Sequence, residues 1–123
     1  MYGRYVGSMN ADNRILVAGA GLAGLSAALA LAQSGRDVTV AGPLDLRDTT
    51  RTVALFDGAL RVFEALGLRA QVEAIGAPLR VMRIVDDTGS LFRGSPAEFD
   101  AGEIGLEAFG WNIENGRLLR LLA

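Results

Sequence analysis

A short run of glycines between an apolar strand and a helix constrains this chain most. Residues 15–18 are apolar and lead directly into the pattern Gly19-x-Gly21-x-x-Gly24. The alanine- and leucine-rich segment that follows is predicted to be a helix from about Leu22 to Ser34 that Gly35 ends, and a second strand is predicted over residues 37–41. A strand, a glycine turn, a helix and a second strand within about 30 residues form the βαβ unit that binds dinucleotides.

Each glycine of the pattern has its own physical task. Gly19 permits a tight turn, Gly21 lets the backbone approach a pyrophosphate, and Gly24 lets the helix pack closely on the strand. The N–H groups at the start of the helix then face the phosphates. The predicted cofactor-binding residues of the turn are therefore Gly19, Ala20, Gly21, Leu22, Ala23 and Gly24.

A membrane-spanning helix is the rival interpretation of the same segment. Residues 15–33 carry no charge and are bracketed by Arg14 and Arg36, close to the roughly 20 apolar residues that a span needs. Gly24 and Ala28 form a small-xxx-small pair. Because each glycine costs a helix interior about 1 kcal/mol relative to alanine, three of them in one short stretch favour the turn.

Composition excludes several functional classes. The 123 residues suffice for one small domain, and a net charge of −2 gives no reason to expect nucleic acid as a partner. The chain has no cysteine and no histidine, which excludes disulfides, thiolate metal sites and histidine-based triads within it. Residues 1–13 lack the apolar core of a signal peptide. We expect them to form a disordered leader, followed by one domain over residues 14–123, in a cytoplasmic protein.

The segment after the second strand is predicted to be a loop over residues 44–51 and then a helix. Thr52 is placed to cap that helix, and Gly67 to end it. Its buried face is predicted from apolar residues at helical spacing, Leu55, Ala59, Leu60, Phe63 and Leu66.

Weaker signals follow in the second half of the chain. We predict a short helical turn at residues 69–74 and an extended segment at 79–85. Residues 87–89 read as a hairpin turn into 90–93. Few signals mark residues 95–107, which are predicted to be irregular.

The last segment predicts a short strand at residues 111–113, with Asn115 as the N-cap of a final helix. That strand is a candidate third member of the parallel sheet. Leu118, Leu119 and Leu122 form an apolar face for which the pattern offers no partner. We therefore expect the chain to be the first part of a longer protein, and to self-associate when alone.

Two further segments carry a more specific resemblance. Residues 51–55 (Arg-Thr-Val-Ala-Leu) and 110–115 (Gly-Trp-Asn-Ile-Glu-Asn) resemble the FAD-dependent aromatic hydroxylases of the para-hydroxybenzoate hydroxylase type. Residues 63–68, 77–79 and 82–86 are similar to the ubiquinone-biosynthesis branch of that family, and residues 99–101, 103–105 and 110–115 strengthen this resemblance. The resemblance covers about residues 14–123.

The resemblance implies an α/β fold of the FAD/NAD(P)-binding, Rossmann-like, three-layer ββα kind, incomplete at its C-terminus. It implies a monooxygenase that uses FAD, NAD(P)H and O2 to hydroxylate a small phenolic substrate, here a polyprenyl phenol of ubiquinone biosynthesis. Peripheral membrane association of the whole enzyme is left open. The glycine turn would hold the FAD pyrophosphate, and Arg51 would reach its phosphate or ribityl region. Trp111 and Asn112 would lie on the ribityl side.

One position departs from the family. Where these enzymes place a glutamate to bind the adenosine ribose, this chain has Gly42. Asp45, Asp48, or the backbone with water are the substitutes that the sequence offers.

Plainer interpretations stand beside these. Arg51 also suits a solvated position at a helix start, Trp111 suits core packing, and Asp86 with Asp87 suits a turn rather than a metal site or catalytic dyad. We identify no catalytic acid, catalytic base or metal ligand. The alternative functions are another flavin or nicotinamide oxidoreductase that shares only the βαβ unit, and a truncated module without catalysis.

Overall fold

The computed structural model describes residues 4–5, 14–47, 49–89 and 94–123, and it has the mixed α/β architecture that the sequence predicts. The strands of these residues are β1 (Arg4–Tyr5), β2 (Arg14–Ala18), β3 (Asp37–Ala41), β4 (Thr52–Phe56), β5 (Ala77–Pro78), β6 (Val81–Ile84), β7 (Ala97–Asp100) and β8 (Gly110–Glu114). The helices are α1 (Leu22–Gln33), α2 (Asp57–Ala65), α3 (Arg69–Ile75) and α4 (Asn115–Leu122), with a 3-10 helix at Ala101–Ile104.

The first sheet contains the βαβ unit and confirms its predicted boundaries. β2 and β3 run parallel, with Ile15 opposite Val38 and Ala18 opposite Ala41. Helix α1 connects them and ends where Gly35 adopts a φ of +83°, a conformation that favours glycine. No helix in the described ranges has the length and hydrophobicity needed to cross a bilayer.

The sheet also has a short third strand. β1 pairs antiparallel with β3 and places two residues of the expected leader in a defined position. The rest of residues 1–13 lies outside the described residues.

The prediction that a helix begins at Thr52 is wrong. Residues 52–56 form β4, and α2 begins only at Asp57. Exposure alternates along β4, with Val53 and Leu55 facing inward, which is the period-2 pattern of a strand. Gly67 does end the helical segment, with a φ of +72°.

The strand predicted at residues 111–113 exists, but it is not a third parallel strand. β8 lies between β4 and β5 in a separate sheet and is antiparallel to both. Its Ile113 is fully buried. The core of the described residues thus lies between this sheet, the first sheet and helices α1 to α4.

The third sheet is a two-stranded ribbon. β6 falls within the predicted extended segment, and its partner is β7, inside the stretch that we predicted to be irregular. The pairing aligns Met82 with Phe99. Residues 90–93, the predicted second half of a hairpin, lie outside the described residues.

The last helix differs from the prediction in two ways. Glu114 occupies the N-cap, Asn115 is the first helical residue, and no side chain caps the helix. Leu118 and Leu122 are 1% and 2% exposed, since α4 packs against α1 and α3. The apolar face that had no partner in the sequence is therefore covered within the chain.

Candidate cofactor-binding site

The glycine turn at the end of β2 is shaped by two close backbone contacts. Gly19 has a φ of +119°, and its N–H donates to the carbonyl of Ala41 at 2.7 Å. Gly24 lies against the same residue, so that an added Cβ would overlap the Gly19 carbonyl. The turn is thus tied to the end of β3 on one side and to α1 on the other.

The start of α1 is open to an anion. A Cβ at Gly21 would meet no atom within 4 Å, and the first turn of α1 contains neither a side-chain cap nor an acidic residue. The N–H groups of Leu22, Ala23 and Gly24 have no acceptor inside a helix. Together with the helix dipole, they favour a negatively charged group at this point.

The other predicted residues of the turn act through their backbone. The Ala20 side chain is 8% exposed and belongs to the core, and Leu22 packs partly buried against that core. Neither side chain carries a polar group. We therefore expect Ala20 and Leu22 to contribute to the site by positioning the peptide groups around Gly21.

The end of β3 passes close beside the turn. Gly42 has a φ of +157°, and a Cβ there would lie 3.0 Å from the Ala20 nitrogen and 3.0 Å from the Gly19 Cα. Residues other than glycine rarely adopt this backbone conformation. The position therefore offers no carboxylate and leaves little room for one.

Arg51 lies in a second part of the candidate site, just before β4. Its N–H donates to Thr49 Oγ1 at 3.2 Å, and its carbonyl accepts from the Asn115 N–H at 2.9 Å. The Arg51 side chain is exposed and forms no ion pair with a carboxylate of the described residues.

A cavity of about 410 Å³ lies beside Arg51. Its lining combines two guanidinium groups, one carboxylate, one hydroxyl, one amide and one apolar side chain, from Arg47, Arg51, Asp45, Thr49, Asn115 and Leu119. The cavity does not include the residues of the glycine turn. The structure thus brings Arg51 together with α4 and the loop after β3, and keeps the glycines as a separate cluster.

An ion pair organises the rim of this cavity. The Arg47 Nε and Nη2 atoms donate to the two carboxylate oxygens of Asp45 at 2.8 and 2.6 Å, and the Arg47 N–H donates to Oδ1 at 3.1 Å. These hydrogen bonds lower the pKa of Asp45 to about 2. The sequence named Asp45 only as one substitute for a missing acid, and it gave no sign of Arg47 as its partner.

Asn115 enters the cavity because of its place at the junction of β8 and α4. Its Oδ1 atom is buried and accepts no hydrogen bond from the described residues, so the junction holds an unsatisfied acceptor. The sequence signal was a strand followed by an N-capping residue type. The sequence therefore predicted the junction correctly, but Asn115 does not cap the helix as predicted.

Trp111 packs against the core and also lines a cavity of about 540 Å³ beside α2 and α3. It packs partly buried against the core cluster, and a Cβ on Gly76 would lie 3.2 Å from its Cδ1 atom. Asn112 points to the opposite face of the sheet, since side chains alternate along a strand. The core packing expected of Trp111 is therefore observed, and its predicted place on the ribityl side of the flavin stays a prediction.

The turn expected at Asp86 and Asp87 has a simple basis as well. Asp86 accepts hydrogen bonds from the N–H groups of Thr88 at 3.0 Å and Gly94 at 3.1 Å. A hydrogen bond from the Thr88 side chain, together with these two backbone hydrogen bonds, lowers the pKa of Asp86. Its carboxylate therefore organises backbone, as the turn interpretation expects.

Comparison with known proteins shows the family to which this chain belongs. The profile of the FAD binding domain family matches residues 12–110. Among curated proteins, the 3-(3-hydroxy-phenyl)propionate/3-hydroxycinnamic acid hydroxylases of Escherichia coli and Shigella sonnei are 33% identical over 109 residues. That alignment covers 88% of this chain and only 18% of each relative.

The fold of this chain also matches solved structures of an oxygenase and of an FAD-containing complex. A mutant of 2-methyl-3-hydroxypyridine-5-carboxylic acid oxygenase matches with a TM-score of 0.65 and 27% identity, over 89% of this chain and 28% of that one. Klebsiella pneumoniae HpxO, complexed with FAD and uric acid, matches with a TM-score of 0.67 and 25% identity, over 93% of this chain and 28% of that one.

Proposed function

This chain belongs to the FAD binding domain family, and from that premise we propose that it is the FAD-binding portion of a flavin-dependent monooxygenase that hydroxylates an aromatic ring. NAD(P)H and O2 are the proposed co-substrates. Bound FAD would supply the redox and oxygen chemistry, while the protein supplies position and electrostatics. The residues of this chain accordingly bind and orient the cofactor.

The observation that carries the proposal is the open glycine turn. Gly21 leaves free space where a pyrophosphate would lie, and no side chain caps the N–H groups of Leu22, Ala23 and Gly24. An anion at this point gains hydrogen bonds and the field of the helix. We propose that these backbone groups hold the FAD pyrophosphate.

Arg51 is the proposed second contact. Its guanidinium carries no ion pair with a described carboxylate and borders the cavity beside α4. A planar group with five N–H donors suits phosphate oxygens. We propose that it binds the phosphate or ribityl region, as the family resemblance implies.

The substrate class is a small aromatic ring that already bears an electron-donating group. The names of the curated relatives specify hydroxylated aromatic acids, and uric acid is present in the HpxO complex. A polyprenyl phenol of ubiquinone biosynthesis is the narrower proposal, and it rests only on the resemblance of residues 63–68, 77–79, 82–86 and the segments between 99 and 115.

The catalytic pocket is proposed to come mainly from the further length that the relatives have, since this chain spans 18% of the curated ones. We therefore expect little NAD(P)H-dependent oxygen consumption from the 123 residues with a phenolic substrate. Consumption well above that of free FAD would contradict this expectation.

Identification of the bound nucleotide tests the proposal. The purified chain is incubated with equal concentrations of FAD, FMN and NAD, and unbound nucleotide is removed by gel filtration. The protein is then denatured with acid, and the released nucleotide is identified by chromatography. We expect FAD. Release of NAD would favour a nicotinamide enzyme, and release of no nucleotide would favour a module that binds no cofactor.

A further inference from the structure

We propose that Asp45, oriented by Arg47, binds the ribose hydroxyls of the adenosine half of the cofactor and replaces the acid that Gly42 cannot supply. The inference rests on the proposed function, because it requires that the chain binds FAD. It assigns a ligand to the exposed ion pair between Asp45 and Arg47 in the loop after β3.

The backbone around Gly42 explains why another residue must take this role. Dinucleotide sites with this glycine turn place an acid at the end of the second strand, where it accepts from the ribose 2′-hydroxyl. Here a Cβ on Gly42 would lie 3.0 Å from Ala20 N and from Gly19 Cα. Since the end of β3 lies this close to the turn, the position favours glycine, and glycine has no carboxylate to accept a hydrogen bond from the ribose.

Asp45 is the nearest described carboxylate along the chain, three residues after Gly42. It is the one acidic side chain of the described residues that lines the cavity beside Arg51. Its Oδ1 accepts two hydrogen bonds from Arg47 and its Oδ2 accepts one. Oδ2 therefore retains an acceptor site, and a charged acceptor forms the stronger hydrogen bond with a hydroxyl.

The loop that carries Asp45 is anchored on α4. Arg120 donates from Nη1 to the carbonyl of Leu46 at 2.9 Å. Gly116 lies so near the loop that an added Cβ would be 2.9 Å from the Arg47 carbonyl oxygen. These contacts hold the backbone at Leu46 and Arg47, and the hydrogen bonds from Arg47 then orient the Asp45 carboxylate before a ligand arrives.

A pair of ligands that differ by one hydroxyl tests the assignment. ADP and 2′-deoxy-ADP are titrated by calorimetry into the parent chain, into Asp45→Ala and into the control Asp57→Ala. Asp57 is also an exposed aspartate in an ion pair, with Arg61 at 2.9 Å, but it does not line this cavity. Since both ligands carry the same charge, the loss of an acid changes their general electrostatics equally.

We expect the parent and Asp57→Ala to prefer ADP by about tenfold, as one hydrogen bond to a charged group implies, and Asp45→Ala to show no preference. Equal binding of the two ligands by the parent, or a preference that survives in Asp45→Ala, would overturn the inference while FAD binding still supports the proposed function. A parent chain that binds neither FAD nor ADP would overturn both.

Discussion

Gly24 of α1 lies against the backbone of Gly19 so closely that a Cβ at Gly24 would overlap the Gly19 carbonyl oxygen. The first turn of the helix therefore sits directly on the end of β2. This contact sets the direction of the N–H groups beside Gly21, where the space is open. The proposed anion site thus depends on a backbone contact that only glycine permits.

Substitution of Gly24 tests this contact. We expect Gly24→Ala to lower the free energy of unfolding by about 1–3 kcal/mol, because the backbone must shift to admit the methyl group. Chemical denaturation measures the effect. Gly58→Ala is the matched control, since a Cβ at Gly58 meets no atom within 4 Å and alanine suits a helix better than glycine. Equal stability of Gly24→Ala and the parent would refute the account of the turn.

Removal of the Arg51 guanidinium tests the second contact that we propose for FAD. We expect Arg51→Gln to weaken FAD binding by about tenfold, which corresponds to one charge-assisted hydrogen bond. Flavin fluorescence titration gives the dissociation constant. Arg61→Gln is the control, because Arg61 pairs with Asp57 on α2 and does not line the cavity. If both variants bind FAD as the parent does, Arg51 is a solvated arginine.

The βαβ unit was predictable because its signals are local. The turn between β2 and α1 requires glycine at fixed positions, and Gly35 ends the helix at its positive φ. Each residue therefore encodes its own backbone conformation. The boundaries of β2, α1 and β3 agree with the sequence interpretation for this reason.

The errors arose where a partner distant in sequence decides the structure. Thr52–Phe56 follows the helical spacing of the next segment, yet it becomes a strand because β8, more than 50 residues later, pairs with it. Helix propensity is a weak preference that tertiary pairing overrides. The Asp45–Arg47 pair itself is local, but its position beside Arg51 was missed for the same reason, since the cavity there is completed by Asn115 and Leu119 of α4.

The ribose preference should not depend on pH in the neutral range. Hydrogen bonds from Arg47 lower the pKa of Asp45 from 3.8 to about 2. Because this pKa is lower than that of a free aspartate, the Asp45–Arg47 interaction stabilises the folded chain above about pH 4. That stabilisation is lost as the pH falls towards about 2 and the carboxylate becomes protonated. The chain contains no histidine. We expect the same ratio of ADP to 2′-deoxy-ADP affinity between about pH 5 and pH 8, and a ratio that changes severalfold in that range would require another titrating group.

Self-association of the chain remains a prediction, with a different basis. The leucines of α4 are buried, whereas Met82 and Phe99 pair across the β6–β7 ribbon and are 40% and 46% exposed. Exposed apolar strands favour pairing between copies. We expect light scattering to show a mass that rises with concentration, and Phe99→Lys to reduce it. A strictly monomeric parent at all concentrations would contradict this prediction.

FAD titration of the parent beside Gly21→Val tests the central claim most directly. A valine at position 21 would fill the open space that we assign to the pyrophosphate, while the fold has no contact there to lose. Gly58→Val introduces the same side chain at an open glycine of α2. We predict that the parent and Gly58→Val bind FAD, that Gly21→Val does not, and that Gly21→Val unfolds at the same temperature as the parent. FAD binding by Gly21→Val with the affinity of the parent would contradict the assignment of this turn as the cofactor site.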